Sequence, residues 1–199
     1  FSSVRQLPLM GDYNLTARPG RTHLYYDKSA GAPQHWFGFG LGYEHATYGS
    51  ASARFDGATC SVNGTASISR ADHDHSQGAA TTVAQRSATQ SEVSQLYMSA
   101  PPQPNLPAAK WALRGYAHTE LGVATAETEL SFKLSAYDLS TVLSDGTRKV
   151  FGGEYKLSVG GCHPRESPLA GGGCGATNTT VVVALEQTDA CAKALLERR

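Results

Sequence analysis

Residues 127–134 read Glu-Thr-Glu-Leu-Ser-Phe-Lys-Leu and carry the clearest strand pattern in the chain. Leu130, Phe132 and Leu134 alternate there with polar or charged residues. A period of two residues places successive side chains on opposite faces of a β-strand, so these three apolar side chains share one face. We therefore predict a strand with one buried face and one face in contact with solvent.

The same period recurs in residues 154–159, directly after the pair Gly152-Gly153, which favours a turn. Its predicted inward-facing side chains are Tyr155, Leu157 and Val159. Residues 179–185 are a third candidate strand, with apolar side chains on both faces. Weaker strand patterns occur in five further segments, at 45–55, 58–66, 80–86, 92–98 and 111–119.

About seven or eight short strands separated by turn signals are typical of an antiparallel β-sandwich. We predict an all-β fold, with the sandwich over residues 43–187. A short C-terminal helix is predicted over residues 188–199, with Asp189 as its cap and arginines at its negative end.

One predicted strand, residues 92–98, carries apolar side chains on both faces. Val93 and Tyr97 lie on one face, and Leu96 and Met98 lie on the other. One face is expected to meet the opposing sheet of the sandwich, while the second meets a neighbouring domain.

Residues 1–42 differ from the rest of the chain, because Pro8, Pro19, Pro33 and several glycines interrupt any regular period. A disordered linker is poor in aromatic residues, whereas this segment is rich in them. We therefore interpret it as an extended arm that docks on a preceding domain. The rings expected to make that contact are Tyr25, Tyr26, Trp36, Phe37 and Phe39.

The overall composition excludes several classes of function. Lys and Arg number 17, as do Asp and Glu, so no net charge favours a nucleic-acid partner. No apolar run approaches the roughly 18 residues that a membrane span needs. The chain begins with Phe1 and lacks the pattern of a signal peptide there, so we expect a processed product or part of a longer protein.

The chain has four cysteines, and in an oxidising compartment an even number indicates two disulfides. Cys162 and Cys174 bracket a Gly- and Pro-rich stretch that a bridge between them would hold together. Cys60 and Cys191 are then paired or free, because four cysteines allow three pairings. A zinc site with His163 is the weaker alternative, since no close Cys-x-x-Cys pair is present.

Three Asn-x-Ser/Thr sequons suggest a secreted glycoprotein. They begin at Asn14, Asn63 and Asn178. We expect modification first at Asn63, because an Asn-Gly pair favours an exposed turn.

Several motifs in this order resemble one known family. The arm contains Pro19-Gly-Arg-Thr22, Leu24-Tyr-Tyr26 and Phe37-Gly-Phe-Gly-Leu-Gly-Tyr43. Further motifs follow at residues 91–97, 101–102, 105–107, 113–116 and 153–160. Together they resemble the C-terminal region of family 3 glycoside hydrolases, a linker arm followed by a fibronectin type III-like domain. The arginine in the first motif is more similar to the β-xylosidase-like branch than to the fungal β-glucosidases.

The resemblance implies that this chain holds no catalytic residue. The nucleophile of the family is the Asp of a Ser-Asp-Trp motif, whereas Trp36 and Trp111 follow His35 and Lys110. No cofactor is expected. Residues 72–75, Asp-His-Asp-His, could bind a metal, but a polar loop tip is the preferred interpretation and no metal site is predicted.

The function that follows is architectural. The chain is expected to complete a secreted β-glycosidase whose N-terminal catalytic domains are its partners and bind the oligosaccharide substrate. The alternative is a stand-alone secreted β-sandwich for carbohydrate binding or adhesion, which would not need the aromatic arm.

Overall fold

The computed structural model describes residues 4–7, 9–40, 46–70, 89–122, 127–164, 179–186 and 188–197. The predicted strand at 80–86 lies outside these ranges. Every other predicted strand is present, with shifts of a few residues at its ends. The strands within the described ranges are β1 (Ala46–Asp56), β2 (Ser61–Arg70), β3 (Thr89–Ser99), β4 (Ala112–Gly122), β5 (Thr128–Leu134), β6 (Thr141–Val142), β7 (Arg148–Lys149), β8 (Gly153–Gly160) and β9 (Thr179–Leu185).

Helical elements are few and short in the described ranges. A 3-10 helix (Val4–Gln6) and α1 (Thr22–Tyr25) lie in the arm, α2 (Ala136–Leu139) follows β5, and α3 (Asp189–Leu196) ends the chain. The all-β prediction is confirmed.

The strands form two larger antiparallel sheets and one short hairpin. One sheet has the order β1-β2-β5 and the other β4-β3-β8-β9, while β6 pairs only with β7. The two larger sheets face each other across a common core, to which Val62, Leu96, Leu134, Leu157 and Val183 all contribute. This packing gives the predicted β-sandwich.

The predicted inner face of β8 is buried at Tyr155, Leu157 and Val159, and Leu134 at the end of β5 is buried as well. The prediction of full burial is wrong for Leu130 and Phe132, which pack on the core but are only half-buried. Both belong to an outermost strand of their sheet, and their partners on β2 are the small residues Ala66 and Gly64. The Phe132 ring covers Gly64 so closely that a side chain there would collide with it.

Tyr155 fixes the corner at the start of β8. Its hydroxyl lies 3.0 Å from the carbonyl oxygen of Phe151 and 3.3 Å from that of Leu139. A tyrosine near the start of a strand that bonds back to upstream backbone is typical of immunoglobulin-like sandwiches.

The C-terminal helix is tied to the turn between β1 and β2. Cys191 in α3 forms a disulfide with Cys60, and their Cα atoms are 4.9 Å apart. Thr188 precedes the helix, and its hydroxyl donates to the carbonyl oxygen of Gly57 at 3.1 Å. Thr188 therefore occupies the cap position without capping, and the predicted cap, Asp189, is instead the first helical residue.

Candidate docking surface of the arm

The arm lies across the outer face of the β4-β3-β8-β9 sheet. The side-chain amide of Gln95 donates to the carbonyl oxygen of Gly38 at 2.8 Å, and the hydroxyl of Tyr97 donates to that of Phe37 at 3.1 Å. Because Gly38 has a φ of 80°, and a side chain there would collide with Gln95 and Tyr97, only glycine fits this contact. The outward face of β3, predicted to meet a neighbouring domain, meets the arm of its own chain.

A buried histidine holds the second part of this contact. His163, directly after the end of β8, is fully buried and its ring stacks on Trp36 at a centroid distance of 4.9 Å. Tyr97 packs against the same imidazole edge-on at 5.0 Å. Trp36 therefore anchors the arm to the sandwich.

The structure consequently changes the expected role of two rings. Trp36 is buried against His163, and Tyr26 is buried with its hydroxyl bonded to the carbonyl oxygen of Gly31. In the described part of the chain, most of the surface of each ring is therefore covered by the chain itself. They hold the arm in place, and a docking role remains a prediction for Tyr25, Phe37 and Phe39.

The start of the arm presents a row of exposed apolar side chains. Met10 is 98% exposed and Tyr13 is 85% exposed. Large apolar residues that lie close together in sequence and stay exposed within the described part of the chain mark a candidate interaction surface. We call these residues the apolar strip; its members are Val4, Leu7, Leu9, Met10, Tyr13 and Leu15.

A later part of the arm forms an aromatic cavity of about 270 Å³. Phe37 stacks on His23 at a centroid distance of 3.8 Å and remains 44% exposed. Burial lowers the pKa of His23 from its usual value, so its imidazole is neutral at neutral pH. Tyr26, His35 and Trp36 line the same cavity. Its walls are predominantly aromatic, which suits an apolar side chain of a partner.

A polar cluster that the sequence did not reveal links the two sheets at one end of the core. The hydroxyl of Tyr48 on β1 lies 2.9 Å from Ser94 Oγ and 3.3 Å from Glu92 Oε1 on β3. Burial raises the pKa of Glu92 and also that of Tyr48. The cluster fixes the two strands against each other at the cost of desolvating a carboxylate.

The remaining predicted sites have different surroundings. Cys162 is disulfide-bonded, and its expected partner, Cys174, lies outside the described residues. Asn14 is exposed and accepts hydrogen bonds from the amide and hydroxyl of Thr16 at 3.0 and 2.9 Å.

Asn63 is also exposed, but it lies within β2 and not in the turn that the Asn-Gly pair suggested. Asn178 and residues 72–75 are outside the described residues. Among the described helices, none is long and apolar enough to cross a membrane.

Comparison with known proteins supports the sandwich. Residues 92–162 match the fibronectin type III-like domain. No curated protein matches the chain. The resemblance drawn from the motifs is therefore confirmed for the fibronectin type III-like domain.

Three solved structures illustrate this likeness. A GH3 β-glucosidase from Bifidobacterium adolescentis superposes with a TM-score of 0.57 at 21% identity, covering 84% of this chain and 22% of that protein. A β-glucosidase from Erythrobacter marinus has a TM-score of 0.58 at 18% identity, with coverages of 83% and 18%. A β-glucosidase from Kluyveromyces marxianus, solved with glucose, has a TM-score of 0.59 at 18% identity, with coverages of 83% and 17%.

These identities show a shared fold. The chain spans about a fifth of the length of these enzymes, and the matches cover 83% and 84% of this chain.

Proposed function

We propose that this chain is the non-catalytic C-terminal part of a secreted family 3 β-glycosidase, of β-xylosidase-like specificity. The resemblance of the arm motifs and the fold shared with much longer β-glucosidases support this proposal. Hydrolysis of terminal β-linked sugars would then belong to N-terminal domains of the same enzyme, on which this part docks.

The observation that carries the proposal is an arm that is fixed to the sandwich yet carries exposed apolar side chains. Gly38 and Trp36 attach the arm to the sandwich, so this part of it is not a flexible linker. The apolar strip and Phe37 remain exposed to the surroundings. Full burial of one large apolar side chain contributes about 1.5 to 3 kcal/mol, so covering several of them would bind a preceding domain firmly.

A secretory location supports the same proposal. Disulfides persist in oxidising compartments, and Cys60, Cys162 and Cys191 are all bonded. Asn14 and Asn63 present exposed acceptor amides for glycosylation. Mapping the glycopeptides of native material would test this route, and unmodified asparagines at both positions would argue against it.

The decisive experiment compares the isolated chain with the enzyme that contains it. The chain alone is expected to leave aryl β-xylosides and β-glucosides intact. In the complete enzyme, changing Leu9 and Met10 to Ser should lower the melting temperature, because the apolar contacts of these two side chains with the preceding domain would be lost. The matched control is Val182→Ser on β9, which is 51% exposed and lies outside the arm.

Turnover by the isolated chain that disappears when one of its own carboxylates is changed would refute the non-catalytic role. An equal melting temperature for the Leu9/Met10 variant and the wild-type enzyme would refute docking through the strip. A native polypeptide with the mass of this chain alone, 21.0 kDa before glycosylation, would instead favour the alternative, a stand-alone module for carbohydrate binding or adhesion.

A further inference from the structure

A second cleft, distinct from the aromatic cavity, lies between the arm and the loop that joins β3 to β4. Its volume is about 510 Å³, within the range of small-ligand sites. One wall comes from the arm, with Arg18, Tyr25 and Asp27, and the other comes from the loop, with Asn105 and Lys110. The lining is completed by Thr16 and by the apolar residues Leu106, Pro107 and Ala108, so the cleft combines one aromatic residue and a short apolar stretch with several hydrogen-bonding groups.

The two walls are held in register by backbone hydrogen bonds. The amide of Lys110 donates to the carbonyl oxygen of Leu24 at 2.8 Å, which joins the loop to the arm. The amide of Asp27 donates to the carbonyl oxygen of Pro19 at 2.9 Å, which closes the arm on itself. A ligand would thus meet a cleft whose walls are already in place, and preorganisation of this kind lowers the cost of binding.

Charged groups in the cleft are arranged as an acceptor flanked by donors. Asp27 Oδ1 accepts a hydrogen bond from the amide of Ser29 at 2.8 Å, and Asp27 Oδ2 lies 3.4 Å from Arg18 Nε. Hydrogen bonds from Ser29 lower the pKa of Asp27, and the nearby charges of Lys110 and Arg18 lower it further. The carboxylate is therefore ionised at neutral pH and fixed in orientation.

Asn105, on the opposite wall, is a further hydrogen-bonding side chain of the cleft. Its φ of 62° is a left-handed backbone conformation that asparagine tolerates, and its side chain is exposed. A primary amide offers both a donor and an acceptor. Tyr25 is half-buried and supplies the aromatic surface of the cleft.

We propose that this cleft is a saccharide-binding site that takes a neutral pyranose ring. A pyranose has an apolar face of C–H groups, which an aromatic ring can cover, and adjacent hydroxyls that each donate and accept a hydrogen bond. Asp27 would accept from such hydroxyls, while Arg18, Lys110 and Asn105 would donate to them. This binding would belong to the chain itself, and it assigns Tyr25 to the saccharide in place of a contact with a preceding domain.

The test uses the complete 199-residue chain, secreted into a bacterial periplasm so that its disulfides form while its sequons remain unmodified. The absence of glycans matters because Asn14 is two residues from Thr16, which lies at the rim of the cleft. Cellobiose and xylobiose are the probes, and saturation-transfer NMR with a titration measures binding. Wild-type protein is expected to transfer saturation to the ring protons of at least one of the two disaccharides.

Two variants locate the site. Tyr25→Ala should weaken binding by about fivefold to tenfold, the loss expected for one aromatic contact. Arg18→Ala should weaken it as well, and it does not threaten the fold because that side chain is 85% exposed. Tyr116→Ala is the matched control, since Tyr116 on β4 is 77% exposed and lies outside the cleft.

Absence of saturation transfer from wild-type protein to both disaccharides, up to their solubility limit, would overturn the proposal. So would unchanged affinity in both Tyr25→Ala and Arg18→Ala. If Tyr25→Ala lowers the melting temperature, its affinity is disregarded and the result for Arg18→Ala decides.

Discussion

Replacing both Cys60 and Cys191 by Ala should make the isolated chain far less stable. The bridge joins residues 131 positions apart, from the β1–β2 turn to α3. In the chain-entropy treatment, closing a loop of this length restricts the unfolded state by about 5 kcal/mol. Both residues are changed together so that neither thiol is left to exchange with the disulfide at Cys162.

Guanidinium unfolding followed by tryptophan fluorescence measures this effect. A typical domain is stable by only about 5 to 15 kcal/mol, so the variant should unfold at a much lower denaturant concentration. Its m-value should rise, because an unfolded chain without the bridge exposes more surface.

A loss below about 1 kcal/mol with an unchanged m-value would refute this reasoning, because the chain-entropy term depends only on loop length. It would show that packing of α3 and the bond from Thr188 to Gly57 hold the C-terminus without help.

Three further predictions concern single residues. Gly38→Ala should release the arm, because its φ of 80° and the side chains of Gln95 and Tyr97 leave no room for a methyl group. Hydrogen exchange across residues 20–40 should accelerate, and unchanged protection there would contradict the prediction. Phe132→Ala should cost about 2 kcal/mol in chemical denaturation, less than the 3 to 5 kcal/mol usual for a fully buried ring, and a larger loss would mean that the ring is better covered than the structure shows. Burial raises the pKa of Glu92, so the protonated form favours folding and that contribution is lost as the pH rises through the folded-state pKa. Glu92→Gln should therefore raise the melting temperature at pH 7 relative to wild type but not below the ordinary pKa of glutamate, and a gain independent of pH would exclude this cause.

Local pattern was sufficient to predict the longer strands of the described residues, but not the two-residue strands β6 and β7. Alternation in residues 154–159 correctly identified the buried face of β8, because that period is imposed by the backbone itself. The same argument failed for full burial of Phe132, since the position of β5 in its sheet is set by long-range pairing. The prediction that Asn63 lies in a turn failed for another reason. The turn preference of an Asn-Gly pair is local, and the pairing of β2 with two neighbouring strands overrides it.

The candidate surface was only partly predictable for a similar reason. The aromatic content of the arm indicated that it packs on something, and the outward position of Tyr97 indicated a covered sheet face. The arm covers the outward face of β3 through contacts between residues about 60 positions apart, such as Tyr97 with Phe37, and local sequence pattern does not report such contacts. Trp36 was consequently assigned to another domain, whereas its partner is His163 of the same chain.

The arm bonded to the outer sheet has a consequence for how this domain could be moved between enzymes. A cut at the start of β1 would keep both sheets yet leave Tyr97, Gln95 and His163 uncovered on the outside of the sandwich. Such a fragment would expose a mixed apolar and polar surface that the arm normally covers, and it would tend to aggregate. The transferable unit therefore begins well before the first strand, so domain fusions and swaps made from this protein should retain residues 20–40 with the sandwich.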